Sequence, residues 1–205
     1  MTKEHYSFES YLDKGRWNSI WHQLAEIHKL NAKRVLEIGP GPGVFKLIAE
    51  LSGLKVETLD LDPDLSPDHL GSATSLPFQD GAFDVVCAFQ MLEHLPYEKA
   101  LVAFSEMARV SAGPILISLP DAREVFGFSF RTQWVRNILV ETLIPAPRLR
   151  APIHVFDGEH HWELNKRKFS LKKVTADFSR YAELHDTFRV PEKPFHRFLV
   201  FNKKG

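Results

Sequence analysis

Short apolar runs alternate with amphipathic segments along the first 120 residues of the chain. Apolar runs of about four to eight residues are typical of buried strands, and apolar residues three and four apart indicate helices with one buried face. The pattern predicts strands over 34–39, 55–62, 83–90 and 113–120, and helices over 16–30, 44–54 and 95–110. This alternation is typical of an α/β fold with a doubly wound, Rossmann-like, mostly parallel sheet.

The pattern changes after Pro120. From there it predicts a helix over 131–144 and a long loop or lid over 145–164. It then predicts a helix over 170–181, capped by Ser170, and a closing antiparallel pair of strands over 182–190 and 195–202. We expect one domain over 1–205, with residues 1–32 as an N-terminal helical cover. Residues 121–168 would form a lid or insertion after the fifth strand.

The composition is that of a globular domain, with 44% hydrophobic and 25% charged residues among 205. No run approaches the roughly 18 to 20 apolar residues of a membrane helix, and the first ten residues lack an apolar signal region. The single cysteine, Cys87, fits a reducing compartment. We therefore expect a cytoplasmic location.

The net charge is zero, which gives no support to nucleic-acid binding. It hides an asymmetry, since residues 1–120 carry 10 Lys and Arg against 16 Asp and Glu, whereas residues 121–205 carry 16 against 10. Such asymmetry marks either a partner surface or unevenly distributed solvated helix faces.

Gly39, Gly41 and Gly43 alternate with prolines in VLEIGPGPGVF, directly after the first predicted strand. Ligands of such sheets bind beyond the carboxyl ends of the strands, and glycine lets a ligand approach the backbone. The dinucleotide fingerprint G-x-G-x-x-G would need glycine where the chain has Val44, and no G-K-[ST] phosphate loop follows. Glu37 beside the turn would repel a pyrophosphate but suit a cation. The turn predicts a nucleoside ligand without phosphates and with positive charge.

Asp60 lies 21 residues after Gly39, at the end of the second predicted strand. An acid at this place binds ribose hydroxyls in folds of this class. Asp62 competes for the role but is better explained as a turn acid before Pro63. The glycines and the acid together predict a nucleoside site more strongly than either alone.

These segments resemble the class I S-adenosylmethionine-dependent methyltransferases, in their small-molecule (methyltransferase type 11-like) subgroup. VLEIGPGPG resembles the first motif, E/D-x-G-x-G-x-G, and VETLDLDP the second. GSATSLPFQDGAFDVVCAFQMLEHL is similar to the stretch G-D-A-x-x-L-P-F…F-D-V-V…L-x-H-L, and ALVAFSEMARVSAGPILISLP to the helix and fifth strand that follow. The resemblance covers residues 33–120.

The resemblance implies S-adenosylmethionine as cofactor and S-adenosylhomocysteine as product. It implies that the backbone at Gly39 lies near the methionine ammonium, that Asp60 binds the ribose and that Glu37 orients the turn or the ammonium. The cofactor-binding set that it implies is Glu37, Gly39, Gly41, Gly43, Asp60, Leu61, Ser72, Ala73, Thr74, Phe89 and Gln90. Ser72 departs from the subgroup, which usually has aspartate there, so adenine recognition would depend more on the backbone of Ala73 and Thr74 and on apolar contacts.

Methyl transfer is an in-line displacement that needs a general base only when the acceptor must lose a proton. His160 and His161 in the loop, and His94 after the strand over 83–90, are the catalytic candidates, because histidine titrates near neutrality. If His160 and His161 alternate in an extended segment, only one of them faces the site. Each is equally well explained singly as a packing or surface residue. The cluster of histidines and acids in this loop could also bind metal, because sets of histidine and carboxylate side chains suit zinc or a non-haem metal. It lacks a helical H-x-x-x-H pair and a cysteine partner, so the sequence favours no metal site but leaves this alternative open.

Residues 131–150 combine arginines with apolar side chains. They are compatible with a grip on an anionic substrate, with contact to an anionic membrane surface, or with a helix that packs an apolar stripe. The predicted partner is a small-molecule acceptor, anionic or apolar. The alternatives are a non-catalytic module that binds S-adenosylmethionine and a nucleic-acid methyltransferase, although the N/D-P-P-Y/F motif is absent after residue 89. A nicotinamide-dependent oxidoreductase is disfavoured by Val44 and Glu37. The sequence leaves the oligomeric state open.

Overall fold

The computed structural model describes residues 12–132 and 139–204. The helices in these ranges are α1 Lys14–Lys29, α2 Val44–Leu51, α3 Tyr97–Val110 and α4 Leu171–Phe178. The strands are β1 Arg34–Ile38, β2 Lys55–Asp60, β3 His69–Leu70, β4 Val85–Phe89, β5 Ile115–Pro120, β6 Val125–Arg131, β7 Leu139–Pro145, β8 Ala182–Val190 and β9 Lys193–Lys203.

Seven strands form one sheet in the order β3-β2-β1-β4-β5-β9-β8. The first five of these are parallel to one another, and the hairpin β8–β9 closes the sheet antiparallel to β5. The strand order reverses between β1 and β4, which is where ligands bind in open α/β sheets. This arrangement confirms the predicted α/β fold with its doubly wound, mostly parallel sheet and closing antiparallel pair.

Alternate residues of the central strands enter two separate cores. On one face Val35 and Val85 pack with the α1 and α2 side chains, whereas on the other Leu36 and Val86 pack with α3 and α4. Successive side chains of a strand point to opposite faces, so a strand covered by helices on both sides must be apolar throughout. This requirement explains why the central strands are continuous apolar runs.

The segment after β5 differs from the prediction. The expected helix over 131–144 is wrong from Leu139 onwards, because Leu139–Pro145 pairs antiparallel with Val125–Arg131 as a two-stranded ribbon. The alternation of Phe126, Phe128 and Phe130 with small or polar residues is the strand signal that the sequence analysis missed. Pairing with β6 gives hydrogen-bond partners to the backbone N–H and C=O groups of β7. This pairing outweighs the helix-like spacing of the apolar residues in β7. The short strand β3 was also not predicted.

Three observations bear on the membrane contact that the sequence of residues 131–150 leaves open. Trp134, Arg136 and Ile138 lie outside the described residues. On β6 the rings of Phe126, Phe128 and Phe130 are exposed. Among the described helices, none combines the length and the apolar character needed to cross a bilayer. Contact with a membrane surface therefore stays a prediction.

The loop between β7 and α4 is attached to the sheet by Trp162. Its side chain is fully buried, its Nε1–H donates to the Leu95 carbonyl at 3.2 Å, and its ring meets that of Tyr97 at 5.0 Å. The backbone N–H of Leu164 donates to the Pro120 carbonyl at 2.9 Å. These contacts hold the end of the loop at the carboxyl edge of the sheet.

Asp121, directly after β5, joins several elements through a buried ion cluster. Its carboxylate lies 2.6 Å from the Arg189 guanidinium and 2.6 Å from that of Arg197, and it accepts a 2.8 Å hydrogen bond from Asn165. Burial alone would raise the pKa of Asp121, but the hydrogen bonds from these three side chains hold it below its ordinary value. Asp121 thus ties β5 to β8, β9 and the loop.

Asp121→Ala should lower the free energy of unfolding by about 3–5 kcal/mol, because it leaves buried guanidinium groups uncompensated. Urea unfolding followed by circular dichroism at pH 7 measures this loss. The control is Asp80→Ala, since Asp80 is 78% exposed in its ion pair with Arg109 and should cost no more than about 1 kcal/mol. Equal stability of the two variants would contradict the role given to Asp121.

Candidate functional site

The turn between β1 and α2 has a backbone that needs glycine. Gly39, Gly41 and Gly43 have φ of 71°, 54° and 73°, in the left-handed region that side chains disfavour. At Gly39 the constraint is doubled, because a Cβ would overlap the side chain of Met91. The Gly39 N–H donates to the Leu59 carbonyl at 2.9 Å, which fixes the turn against β2.

Glu37 lies on β1 just before this turn. Its side chain is buried, and its Oε2 has no hydrogen-bond partner among the described residues. Burial raises the pKa of Glu37 to about 8, and Lys46 offsets only part of that rise. The carboxyl group is therefore largely protonated at neutral pH, and a cation placed beside it would favour its ionised form.

A cavity of about 570 Å³ opens at the carboxyl edge of the sheet. It is bounded by the first glycines of the turn, by the ends of β2 and β4 and by the loop that Trp162 anchors. Of the predicted cofactor residues, those that line it are Gly39, Gly41, Asp60, Leu61, Phe89 and Gln90. The structure thus brings together residues from three separate segments that the sequence analysis had combined.

A second pocket of about 80 Å³ adjoins this cavity and shares Gly39, Asp60 and Leu61 with it. Ser72 and Ala73 line it. Thr74 is placed differently, because its hydroxyl pairs with the Ser72 hydroxyl at 2.8 Å and its N–H donates to the same Ser72 oxygen at 3.2 Å. This turn holds the Ser72 hydroxyl close to its own backbone, so apolar side chains dominate the pocket wall.

Gln90 ends β4 with a positive φ of 53°, an uncommon conformation for a residue with a side chain. Its N–H donates to the Ser118 carbonyl at 2.9 Å, and its side-chain amide donates to the Ser118 hydroxyl at 3.2 Å. Phe89 beside it contacts the Phe45 ring at 5.3 Å. The bend directs the chain after β4 back across the cavity.

The three predicted catalytic histidines lie in two environments. His94 and His160 both line the cavity, and their rings meet edge to face at 5.1 Å. His161 is exposed, and its ring lies against Phe156 at 4.7 Å. Only one histidine of the adjacent pair, His160, therefore lines the cavity.

Glu93 was missed in the sequence analysis. It lies in a short 3₁₀ helix, Leu92–His94, where its side chain is fully buried and neither carboxylate oxygen has a hydrogen-bond partner among the described residues. Burial raises the pKa of Glu93 to about 8, and burial also lowers the pKa of the neighbouring His94. An acid directly before a histidine gives no sequence signal of burial, even between leucines.

The cavity has a basic wall that the motifs did not indicate. Arg16 of α1 and Lys193 and His196 of β9 line it, and the Lys193 ammonium pairs with the Asp13 carboxylate. His196 is buried with its Nδ1 2.8 Å from the Ser19 hydroxyl, and burial, followed by the charges of Arg16 and Lys193, lowers its pKa to about 3. His196 is therefore neutral at the cavity wall.

The sequence of the chain is similar to those of known proteins. Residues 8–170 match the family model described as "Methyltransferase domain". The chain belongs to this methyltransferase family. A relative from Mycobacterium sp. (strain JLS), named "Uncharacterized methyltransferase", is 34% identical over 104 residues, covering 45% of this chain and 39% of the relative. The methyltransferase match therefore spans about two fifths of that curated relative's length.

Solved structures share the fold of this methyltransferase-family chain. PH0226 protein from Pyrococcus horikoshii OT3 aligns over 100% of both chains, with a TM-score of 0.64 and 15% identity. The 1,6-didemethyltoxoflavin-N1-methyltransferase of Burkholderia thailandensis, solved with 1,6-didemethyltoxoflavin and S-adenosylhomocysteine, covers 97% of this chain and 84% of its own, with a TM-score of 0.61 and 14% identity. Magnesium protoporphyrin IX methyltransferase of Synechocystis PCC 6803, solved with bound SAM, covers 93% and 80%, with a TM-score of 0.58 and 13% identity.

Glu37→Gln tests the buried acid in the absence of any ligand. An acid whose pKa is raised on folding destabilises the protein as the pH rises from its ordinary value of 4.5 to its folded value of about 8. The variant should therefore gain stability over the native chain between pH 5 and 8, by up to about 1.4 kcal/mol per pH unit.

Urea unfolding at pH 5.5 and 8 measures this difference. Glu183→Gln on β8 is the control, because Glu183 is exposed and should show no divergence from the native chain over the same range. Parallel pH profiles for Glu37→Gln and the native chain would contradict the assignment.

Proposed function

We propose that the chain binds S-adenosylmethionine in the large cavity and transfers its methyl group to a small-molecule acceptor. The observation that carries the proposal is the arrangement at the carboxyl edge of the sheet. The glycine turn and the aspartate at the end of the next strand line one cavity, and the buried Glu37 lies beside the turn in an adjoining small pocket. Membership of the methyltransferase family supports the same conclusion.

The residues present fit this cofactor. The unpartnered oxygen of Glu37 beneath the Gly39 turn suits a nearby ammonium, either directly or through a water molecule. Asp60 lines the cavity, where its carboxylate would accept hydrogen bonds from the ribose hydroxyls. The small pocket beside Leu61 and Ala73 has the apolar walls that a purine ring requires.

When bound, S-adenosylmethionine supplies an electrophilic methyl group on a sulfonium centre. The chain's own contribution is to align the acceptor and to exclude water, since in-line displacement depends mainly on alignment. Phe89 and Gln90 at the end of β4 would flank the sulfonium. Their positions are fixed by the Phe45 contact and by the two hydrogen bonds to Ser118.

His94 and His160 would act on the acceptor, at the end of the cavity bounded by the loop. We call this the acceptor end. His160 is the better placed of the adjacent pair, since His161 is exposed against Phe156. Burial lowers the pKa of His94, which favours the neutral imidazole at pH 7. The lone pair on the neutral ring could accept a proton from the acceptor.

The relatives support a small-molecule acceptor. One solved structure with this fold is named for methyl transfer to 1,6-didemethyltoxoflavin and another for magnesium protoporphyrin IX, both of them small heterocyclic molecules. The same cavity is lined by Phe195 and by the basic groups Arg16 and Lys193. This combination favours an acceptor that has both an apolar surface and a negative charge.

Thermal unfolding with ligands is the first test. S-adenosylhomocysteine and S-adenosylmethionine at about 100 times their Kd should each add roughly 2.7 kcal/mol to the stability, whereas NADH should add nothing. Transfer of a labelled methyl group to a panel of small aromatic acids then tests catalysis. A shift with NADH alone would overturn the cofactor. Binding without transfer to any acceptor would favour a non-catalytic module.

Asp60→Asn should weaken S-adenosylhomocysteine binding about 10- to 100-fold, because hydrogen bonds to a charged acceptor contribute about 1.5–3 kcal/mol. Titration calorimetry measures the change. Asp64→Asn is the matched control, since Asp64 follows in the same segment with an exposed side chain and should bind as the native chain does. If the native chain and both variants bind S-adenosylhomocysteine with equal affinity, Asp60 does not bind the ribose.

A further inference from the structure

Three side chains with metal-binding groups meet at the acceptor end. Glu93 and His94 come from the 3₁₀ helix after β4, and His160 comes from the loop. One ligand atom of each lies within 4.8 Å of the others. Two separate segments of the chain thus place a carboxylate and two imidazoles around one point.

The hydrogen bonds of the two histidines define which ring nitrogens are available. His94 Nδ1 lies 3.1 Å from the Glu159 carbonyl oxygen, and since a carbonyl only accepts, Nδ1 must carry the proton. His160 Nδ1 lies 3.2 Å from a carboxylate oxygen of Glu163, which likewise accepts. In their neutral forms both rings therefore have an Nε2 lone pair, and each is oriented by an oxygen on its opposite side, as metal-binding histidines usually are.

Glu93 supplies the independent observation. Its side chain is fully buried, and neither of its carboxylate oxygens has a hydrogen-bond partner among residues 12–132 and 139–204. A buried acid in this situation must either hold a proton or meet a cation. The two imidazole nitrogens beside it make a metal ion the cation that satisfies all three groups at once.

We propose that Glu93, His94 and His160 bind one divalent transition-metal ion, of which zinc best suits a set of two imidazoles and a carboxylate. Three protein ligands leave at least one coordination position toward the cavity. This proposal takes up the metal alternative that the sequence leaves open, with a ligand set that includes the buried Glu93.

A second cluster of Asp157, His160 and Glu163 is a weaker candidate. Its Asp157 carboxylate already accepts from the backbone N–H groups of Glu159 at 3.0 Å and His160 at 2.8 Å. Glu163 pairs with Lys166 at 3.6 Å as well as with His160. These acids are satisfied within the protein, whereas Glu93 is not.

The role of the metal rests on the proposed function, although metal binding itself does not. An acceptor hydroxyl that coordinates a divalent cation loses its proton at a lower pH than it does in water. The ion would thus hold an oxygen acceptor at the end of the cavity and favour its nucleophilic, deprotonated form. His94 and His160 would then be ligands rather than general bases.

The experiment uses the full chain without a polyhistidine tag, stripped with a chelator. Zinc binding is measured by equilibrium dialysis and elemental analysis, and Co²⁺ absorption between 500 and 700 nm, roughly the range of d–d transitions, reports the ligand geometry. The variants are Glu93→Gln and His160→Ala, and the matched controls are His161→Ala and Asp157→Asn in the same loop. The thermal shift with S-adenosylhomocysteine is recorded for each protein.

We expect about one zinc per native chain, the same in both controls, and at least about tenfold weaker binding in Glu93→Gln and His160→Ala. Glu93→Gln keeps the shape of the side chain, so it should stay folded even if His160→Ala does not. No zinc binding at micromolar concentration, or loss only in Asp157→Asn, would overturn the proposal. A thermal shift with S-adenosylhomocysteine but no zinc binding would contradict the metal site and leave the proposed function supported. Zinc binding without that thermal shift would support the metal site and contradict the proposed function.

Discussion

The reversal of strand order between β1 and β4 is the constraint on which the site depends. The chain leaves β1 toward α2 on one face of the sheet and leaves β4 toward α3 on the other. The two connections therefore separate at the carboxyl edge and leave a gap between them. The glycine turn forms one side of that gap, and the bend at Gln90 forms the other.

The two ends of the cavity are held by different kinds of contact. At the cofactor end the backbone decides the shape, because Gly39 has a positive φ and no room for a side chain against Met91. At the acceptor end side-chain packing decides it, because buried Trp162 fixes the loop that carries His160. The buried Glu37 and Glu93 lie at these two ends, each with an unpartnered oxygen among the described residues.

Periodicity predicted the central sheet because strands covered on both faces must be apolar throughout, as Val35 and Leu36 are. The glycine spacing predicted the turn after β1, since backbone geometry imposes residue types directly, and Asp60 lines the same cavity as that turn. The strand β7 could not be predicted from its own spacing, because only its pairing with β6 distinguishes it from a helix, whereas the alternating phenylalanines of β6 do indicate a strand. Glu93 was beyond prediction for a related reason, since its neighbours include a distant part of the chain, where the His161 N–H donates to the Glu93 carbonyl at 2.8 Å.

The attachment of the loop has a consequence for how this site can change in evolution. Trp162 and Leu164 bind the loop to the sheet, whereas Leu149, Ile153, Val155 and Phe156 lie exposed before them. Substitutions among those exposed residues would change the surface of the loop without disturbing the core or the glycine turn, because surface positions tolerate change. The architecture therefore allows this surface to diverge between homologues while the residues that line the cavity stay the same.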